Sequence, residues 1–346
     1  MNSRARAAWM AMLLAGAAGA TPLAPIDGKA YTGAQQLVPI AHGRKLNLYC
    51  VGQGGPTVIF DAGLTDPLNV WAYVQAAIAG RMRACSYDRA GVGYSDPGVR
   101  PATSVNMVDD LHQLLTAAAI APPYLLVAHS SGALNARLYA YYYPQEVAGM
   151  VLVDPTVENQ TDAFRRLAAP KSTAEQWDAL TIEPGLTMRR NCIRAAEVGI
   201  VPGSARADEC GFPQYPQLSG AVQEATIRFQ LQPAFQRAQL AEEEQVFRYS
   251  AEQVRAAHAS YGNLPLEVLS RSPWPPPKNA TPERLALSHA RYALWLQLHR
   301  SVAALSARGT HTVVVDAGHA IQLEQPQAVI DAILRVRAGI GPDLDK

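Results

Sequence analysis

The stretch Tyr124-Leu125-Leu126-Val127-Ala128-His129-Ser130-Ser131-Gly132 constrains this chain more than any other. Residues 124–127 form an unbroken apolar run, which predicts a strand buried on both faces. The run stops at a pair of serines flanked by small residues, and a helix-prone segment follows over residues 133–143. A strand that turns sharply into a helix holds the side chain at the turn out at its tip, in a strained backbone conformation. Bulky groups two positions to either side would collide, so Ala128 and Gly132 suit a turn centred on Ser130. A turn centred on Ser131 would put His129 and Ala133 in those places, and histidine does not fit there. Ser130 is therefore the candidate nucleophile; an ordinary Ser-Gly turn after a strand is the plain alternative.

The chain has 346 residues, 49% of them hydrophobic and 17% charged, enough for a large core. Its net charge of +1 and the lack of any basic stripe give no support to nucleic-acid binding. Residues 1–20 read as an export signal: Arg4 and Arg6, an apolar run, then Ala18-Gly19-Ala20 as a small-x-small cleavage site. The apolar run is short for a membrane span, so no stable span is expected after cleavage; an uncleaved N-terminal anchor is the alternative. Removing this segment takes away two arginines and no acid, turning the net charge from +1 to −1. Export implies a periplasmic or secreted protein and permits disulfides among Cys50, Cys85, Cys192 and Cys210. No Cys-x-x-Cys or His-x-x-x-His spacing occurs, so neither a metal nor another cofactor is expected.

Strand-like runs recur with helix-like segments between them. Residues 36–40 and 46–51 flank a hairpin signal, and further runs lie at 57–60, 83–87, 124–127, 149–153, 264–269 and 312–315. Residues 105–119 place Val105, Val108, Leu111, Leu114 and Leu115 at helical spacing. Strands alternating with helices after an initial hairpin predict a mostly parallel sheet with helices on both faces. Residues 156–245 break the rhythm: they are helix-prone, punctuated by prolines, and hold no strand-like run. Later, Thr281 followed by Pro282 signals a helix start, and another helix is predicted over residues 326–336.

A serine needs a base to take its proton. Of the eight histidines, His319 stands in a loop between the last apolar run and the last helix, the right place for that base. His42 and His311 read as loop histidines, His112 and His289 as structural, and His129 as a packing or hydrogen-bonding group. Acyl transfer also needs donors for a developing oxyanion. The backbone N–H of Ser131 is one candidate, and that of Leu64, after Gly63 in Asp61-Ala62-Gly63-Leu64, is the other.

Four features together resemble the α/β-hydrolase superfamily, in its capped serine hydrolase form. They are Asp61-Ala62-Gly63-Leu64, the stretch Tyr87-Asp88-Arg89-Ala90-Gly91-Val92-Gly93-Tyr94-Ser95-Asp96-Pro97, the Ser130 turn, and Gly318-His319. The turn departs from the family's Gly-x-Ser-x-Gly pattern only at Ala128. The resemblance covers about residues 34–338. It implies an α/β fold with a mostly parallel eight-stranded sheet and a helical cap. The core would be residues 21–155 and 246–346, and the cap, covering the site as a lid, residues 156–245. It also makes the second and fourth strands neighbours, which implies the bridge Cys50–Cys85 and leaves Cys192–Cys210 within the cap.

The acid that orients His319 is less plainly marked. Most of the family places it after the penultimate strand, but Ser270-Arg271-Ser272-Pro273 holds no acid. Asp154, at the end of the strand after the nucleophile's helix, matches the placement in some relatives and is the expected acid; Asp316 and Glu283 are the alternatives. The resemblance thus implies a serine hydrolase acting on a small-molecule carboxylic ester. Amide or peptide cleavage, lactone opening and carbon–carbon bond hydrolysis use the same residues. A low-turnover binding protein on the same scaffold is the non-enzymatic alternative. Epoxide hydrolases and dehalogenases of this fold use an aspartate where this chain has Ser130.

Overall fold

The computed structural model describes residues 28–211, 215–257, 260–275 and 279–341; the expected export signal in residues 1–20 lies outside them. The strands are β1 (Gln36–Pro39), β2 (Lys45–Val51), β3 (Thr57–Asp61), β4 (Ala84–Tyr87), β5 (Tyr124–His129), β6 (Val147–Val153), β7 (Leu266–Ser270) and β8 (Gly309–Val313). They form one 8-stranded sheet in the order β1-β2-β4-β3-β5-β6-β7-β8. The pairs β1–β2 and β2–β4 are antiparallel and all the others parallel.

Helices cover both faces: α1 (Ala72–Ala79), α2 (Ser104–Ala117) and α3 (Gly132–Tyr142) among the early strands, and α11 (Pro282–Ala303), α12 (Ile321–Glu324) and α13 (Pro326–Gly339) late in the chain. Between β6 and β7 come α4 (Gln160–Ala168), α5 (Ala174–Thr181), α6 (Glu183–Val198), α7 (Ala205–Cys210), α8 (Gly220–Gln230), α9 (Pro233–Gln245) and α10 (Ala251–Ala256).

The central strands are mostly apolar and buried because each of their faces meets a helix layer. Ile59, Leu126, Leu152 and Val268 join α2 and α3 in one core; Phe60, Val127, Val151 and Leu269 join α1 and α13 in the other. The stripe of α2 follows from Val108, Leu111 and Leu115 at three- and four-residue spacing, all buried. Thr103 caps that helix by accepting from the Asn106 N–H. Thr281 does the same for α11, with Pro282 in its first turn.

Most strand ends differ from the expected runs by one to three residues, and two of these differences have a plain cause. β7 begins at Leu266, after Pro265, which has no N–H for the ladder. β8 spans Gly309–Val313 instead of residues 312–315. It is an edge strand, defined by pairing to β7 and hardly by burial, and Val315 in the apolar run is 72% exposed.

The cysteines lie in two pairs at disulfide distance. Cys50 and Cys85 face each other across the β2–β4 ladder, with Cα atoms 4.1 Å apart. Cys192 on α6 and Cys210 on α7 have Cα atoms 5.4 Å apart. Among the described residues no helix is long and apolar enough to cross a membrane.

The Cys50–Cys85 bond closes a loop with a sequence separation of 35. Replacing both cysteines by alanine is expected to lower the unfolding free energy by about 3–4 kcal/mol, read from urea midpoints in non-reducing buffer. An unchanged midpoint would show that the bond adds nothing to stability.

Candidate active site

β5 and β6 end in the same way. Ser130 has φ 50° and Asp154 φ 41°, a left-handed conformation that costs a non-glycine residue about 1–3 kcal/mol. Backbone hydrogen bonds hold both kinks. The Ser130 N–H donates to the Val153 carbonyl (3.0 Å), the Thr156 N–H to the Ser130 carbonyl (2.9 Å), and the Asp154 N–H to the Leu269 carbonyl (2.8 Å). Gly132 is required for a separate reason: a Cβ there would lie 2.5 Å from the Ala62 carbonyl oxygen. The start of α3 is pressed directly against the loop after β3.

His319, in the loop between β8 and α12, bridges the two kinks. Its Nε2 is 3.0 Å from Ser130 Oγ, and its Nδ1 is 2.6 Å from Asp154 Oδ2. Asp154 is fully buried. Burial would push its carboxyl up, but the hydrogen bond and charge of His319 and the Trp295 N–H hold it below the usual carboxylate range. An ionised carboxylate only accepts, so Nδ1 carries the proton and Nε2 is left to accept from the Ser130 hydroxyl. The other carboxylate oxygen, Oδ1, accepts from Trp295 Nε1 (2.9 Å) and from the Arg271 N–H (3.1 Å). Glu283 and Asp316, the alternative acids, both lie at the surface.

The loop 61–64 is fixed from behind by a buried cation. Arg89 Nη1 donates to Asp61 Oδ1 and to the Ala62 carbonyl, each at 2.7 Å, and Nη2 donates to the Gly63 carbonyl. A trans peptide points its N–H opposite to its C=O. With the Gly63 carbonyl held by Arg89, the Leu64 N–H therefore points away from Arg89. Neither that N–H nor the N–H of Ser131 has a protein acceptor among the described residues. Arg89 is also paired with Glu242 on α9, through Nε and Nη2 at 2.9 Å each, and Glu242 Oε2 accepts the Thr65 N–H at 2.7 Å. The rest of the stretch 87–97 is a turn built around Asp88, whose carboxylate accepts from Asn47 Nδ2 and from the N–H groups of Leu68 and Tyr94.

Two histidines outside the Ser130–His319–Asp154 chain pack beside it, one bonded to His319 and one to Pro155. His129 donates from Nε2 to the His319 carbonyl (2.9 Å) and is buried. His299 donates from Nε2 to the Pro155 carbonyl (2.9 Å), so its Nδ1 accepts from Ser270 Oγ (2.5 Å). Ser270 in turn accepts from His311 Nε2 (2.7 Å). The sequence singled out neither His299, Trp295 nor Glu242. Asp154, Pro155 and Arg89, the partners that tie them to the site, lie more than a hundred residues away, and their helices carry no motif. Only Arg89 had a signal, as part of the stretch 87–97.

Residues 56–185 match the family described as alpha/beta hydrolase fold. A segment of 106 residues is 38% identical to the uncharacterized protein YqjL of Bacillus subtilis, covering 31% of this chain and 42% of YqjL. An esterase from Thermogutta terrifontis, solved with malate bound, superposes with a TM-score of 0.58 at 22% identity, over 89% of this chain and 100% of the esterase. The epoxide hydrolase CorEH, solved without ligand, superposes with a TM-score of 0.64 at 15% identity, over 88% of this chain and 99% of CorEH. This chain has the α/β-hydrolase fold. The curated relatives are matched over less than half of their own length, and the solved structures at these identities carry the fold alone.

Behind Asp154, burial disfavours the charged form of His299. Burial pushes the His299 imidazole down from 6.5 to about 4, against the opposing charge of Asp154. The unfolded chain takes up this proton below about pH 6.5, whereas the folded protein does so only near pH 4. His299 therefore contributes full stability above that window and loses it as the pH falls through it, by about 3 kcal/mol in all. Urea unfolding of His299→Gln is expected to show a shallower loss of stability between pH 6.5 and 4. Equal pH slopes for variant and wild type would contradict this account.

Proposed function

We propose that this protein is an exported serine hydrolase that cleaves a carboxylic ester through an acyl-enzyme on Ser130. The observation that carries the reading is the hydrogen-bonded chain Ser130 Oγ–His319–Asp154, at 3.0 and 2.6 Å. His319 Nε2 takes the Ser130 proton as Oγ attacks the ester carbonyl, and the tetrahedral oxyanion is stabilised by the Leu64 and Ser131 N–H groups. His319 then protonates the leaving alcohol. Water, deprotonated by the same Nε2, attacks the acyl-enzyme, and Ser130 recovers its proton as the acid leaves. Asp154 keeps the tautomer and stabilises the imidazolium.

A serine at the nucleophile position supports acyl transfer over epoxide opening. The His319 side chain is 43% exposed, so a substrate can reach it. Residues 156–245 serve as the lid in this reading, and their helix α9 supplies Glu242 behind the oxyanion loop. Two cysteine pairs at disulfide distance support export.

A fluorophosphonate probe is expected to label the wild type and not Ser130→Ala. Equal labelling of both, or none of the wild type, would sink the reading. In Asp154→Asn the amide donates to His319 Nδ1 and puts the proton on Nε2, where it blocks the base. Turnover of p-nitrophenyl esters at neutral pH should fall by about 10⁴-fold, with little change in the urea midpoint. Near-normal turnover would remove Asp154 from the mechanism. Anilides and lactones in the same assay test whether the ester is the preferred substrate.

A further inference from the structure

A cavity of about 1200 Å³ lies behind the acid end of the site, between α11, the loop after β7, and helices α4 and α5. Its wall is aromatic: Trp274 and Trp295 face it, with Phe164, Trp177 and Tyr292. The Phe164 and Trp295 rings stack with centroids 6.0 Å apart and planes inclined by 21°. Its charged groups are all cationic. Arg271, Arg284 and Arg291 line it, and no Asp or Glu does so among the described residues. Neither Arg284 nor Arg291 is paired with a carboxylate among the described residues.

Arg271 connects this cavity to the chemistry. Its guanidinium carbon lies 3.8 Å from the Trp274 ring centroid and 5.8 Å from that of Trp295. Nη1 donates to the Ser272 carbonyl, and Nε is 3.4 Å from Asp154 Oδ2, the oxygen that holds His319. Nη2 has no protein acceptor among the described residues, which leaves one donor edge of a cation free in an aromatic cavity. A flat guanidinium stacked on indole, with a free donor edge, suits a carboxylate attached to an aromatic ring.

We propose that this cavity binds an aromatic carboxylate, with its ring on the tryptophan wall and its carboxylate on Arg271. The physiological ester would then carry an arene and a free carboxylate in one of its two halves. That substrate class rests on the serine hydrolase reading; the binding site does not. A fatty acyl chain would need neither the arginines nor the indoles, and it would bind without regard to charge.

Calorimetric titration of the full protein with 2-naphthoate and its neutral isostere 2-naphthamide separates these cases. The naphthoate is expected to bind at least about tenfold more tightly, the scale of one charge-assisted hydrogen bond. Arg271→Gln should abolish the preference, and Trp274→Leu, at a position 62% exposed, should weaken naphthoate at least about threefold through the lost stack. Equal affinity for the two ligands, no binding of naphthoate, or a preference that survives in Arg271→Gln would overturn the proposal. The comparison in wild type decides the matter even if Arg271→Gln fails to fold. Fluorophosphonate labelling of the same samples keeps the two readings apart. Labelled protein that ignores naphthoate loses only the cavity, and unlabelled protein that binds it loses only the hydrolase.

Discussion

Everything at the candidate site depends on two adjacent parallel strands that end in the same unfavourable kink. A non-glycine residue in the left-handed region persists only where its surroundings over-determine it. Here each kink is part of the other's support, because the Ser130 N–H is spent on Val153 and the Ser130 carbonyl on Thr156. Neither Ser130 nor Asp154 can relax without breaking the ladder that orients its neighbour. The shared strain lifts both side chains above the sheet at one level, where a single imidazole spans them.

The position of the acid follows from the same adjacency. β6 and β7 are neighbours, so the ends of both strands approach one imidazole. In this chain β7 supplies Ser270 and Arg271 where an acid would otherwise stand. Both hold the end of β6: the Arg271 N–H donates to the Asp154 carboxylate, and Ser270 reaches the Pro155 carbonyl through His299. The second strand has become the scaffold of the first. The cost is a cation next to the carboxylate that orients His319, with the guanidinium of Arg271 at 3.4 Å.

Much of the fold was legible because it rests on local signals. Unbroken apolar runs mark strands covered on both faces, and Thr281 with Pro282 marks a helix start. Two of the displaced strand ends arose where burial and pairing part company, at Pro265 and on the edge strand β8. At the candidate site, Ser130, His319, Asp154 and the loop 61–64, which the structure brings together, each carried a sequence signal, since each sits at a strand end or a glycine turn. Most of their supports did not. Trp295 and His299 are four residues apart on one face of α11, a spacing that any packed helix shows. What makes them part of the site is contact with residues 154 and 155, which only the folded chain reveals. Arg89 and Glu242 meet across 153 positions, with nothing in either neighbourhood to announce the other.

That last pair bears on what the inserted helices are. A flap that only shields a site can be trimmed, exchanged or hinged open with the body left intact. Glu242 is different, because it ends inside the body, neutralising a guanidinium that is itself 4% exposed and receiving the N–H of Thr65. Cutting α9 away would strand a buried cation against three oxygens of a loop that must stay rigid. Grafting the helices of a relative would do the same unless a carboxylate arrived at this one depth. The inserted helices and the body are thus tied together at this point, and any exchange of the segment has to keep the Glu242 carboxylate in place.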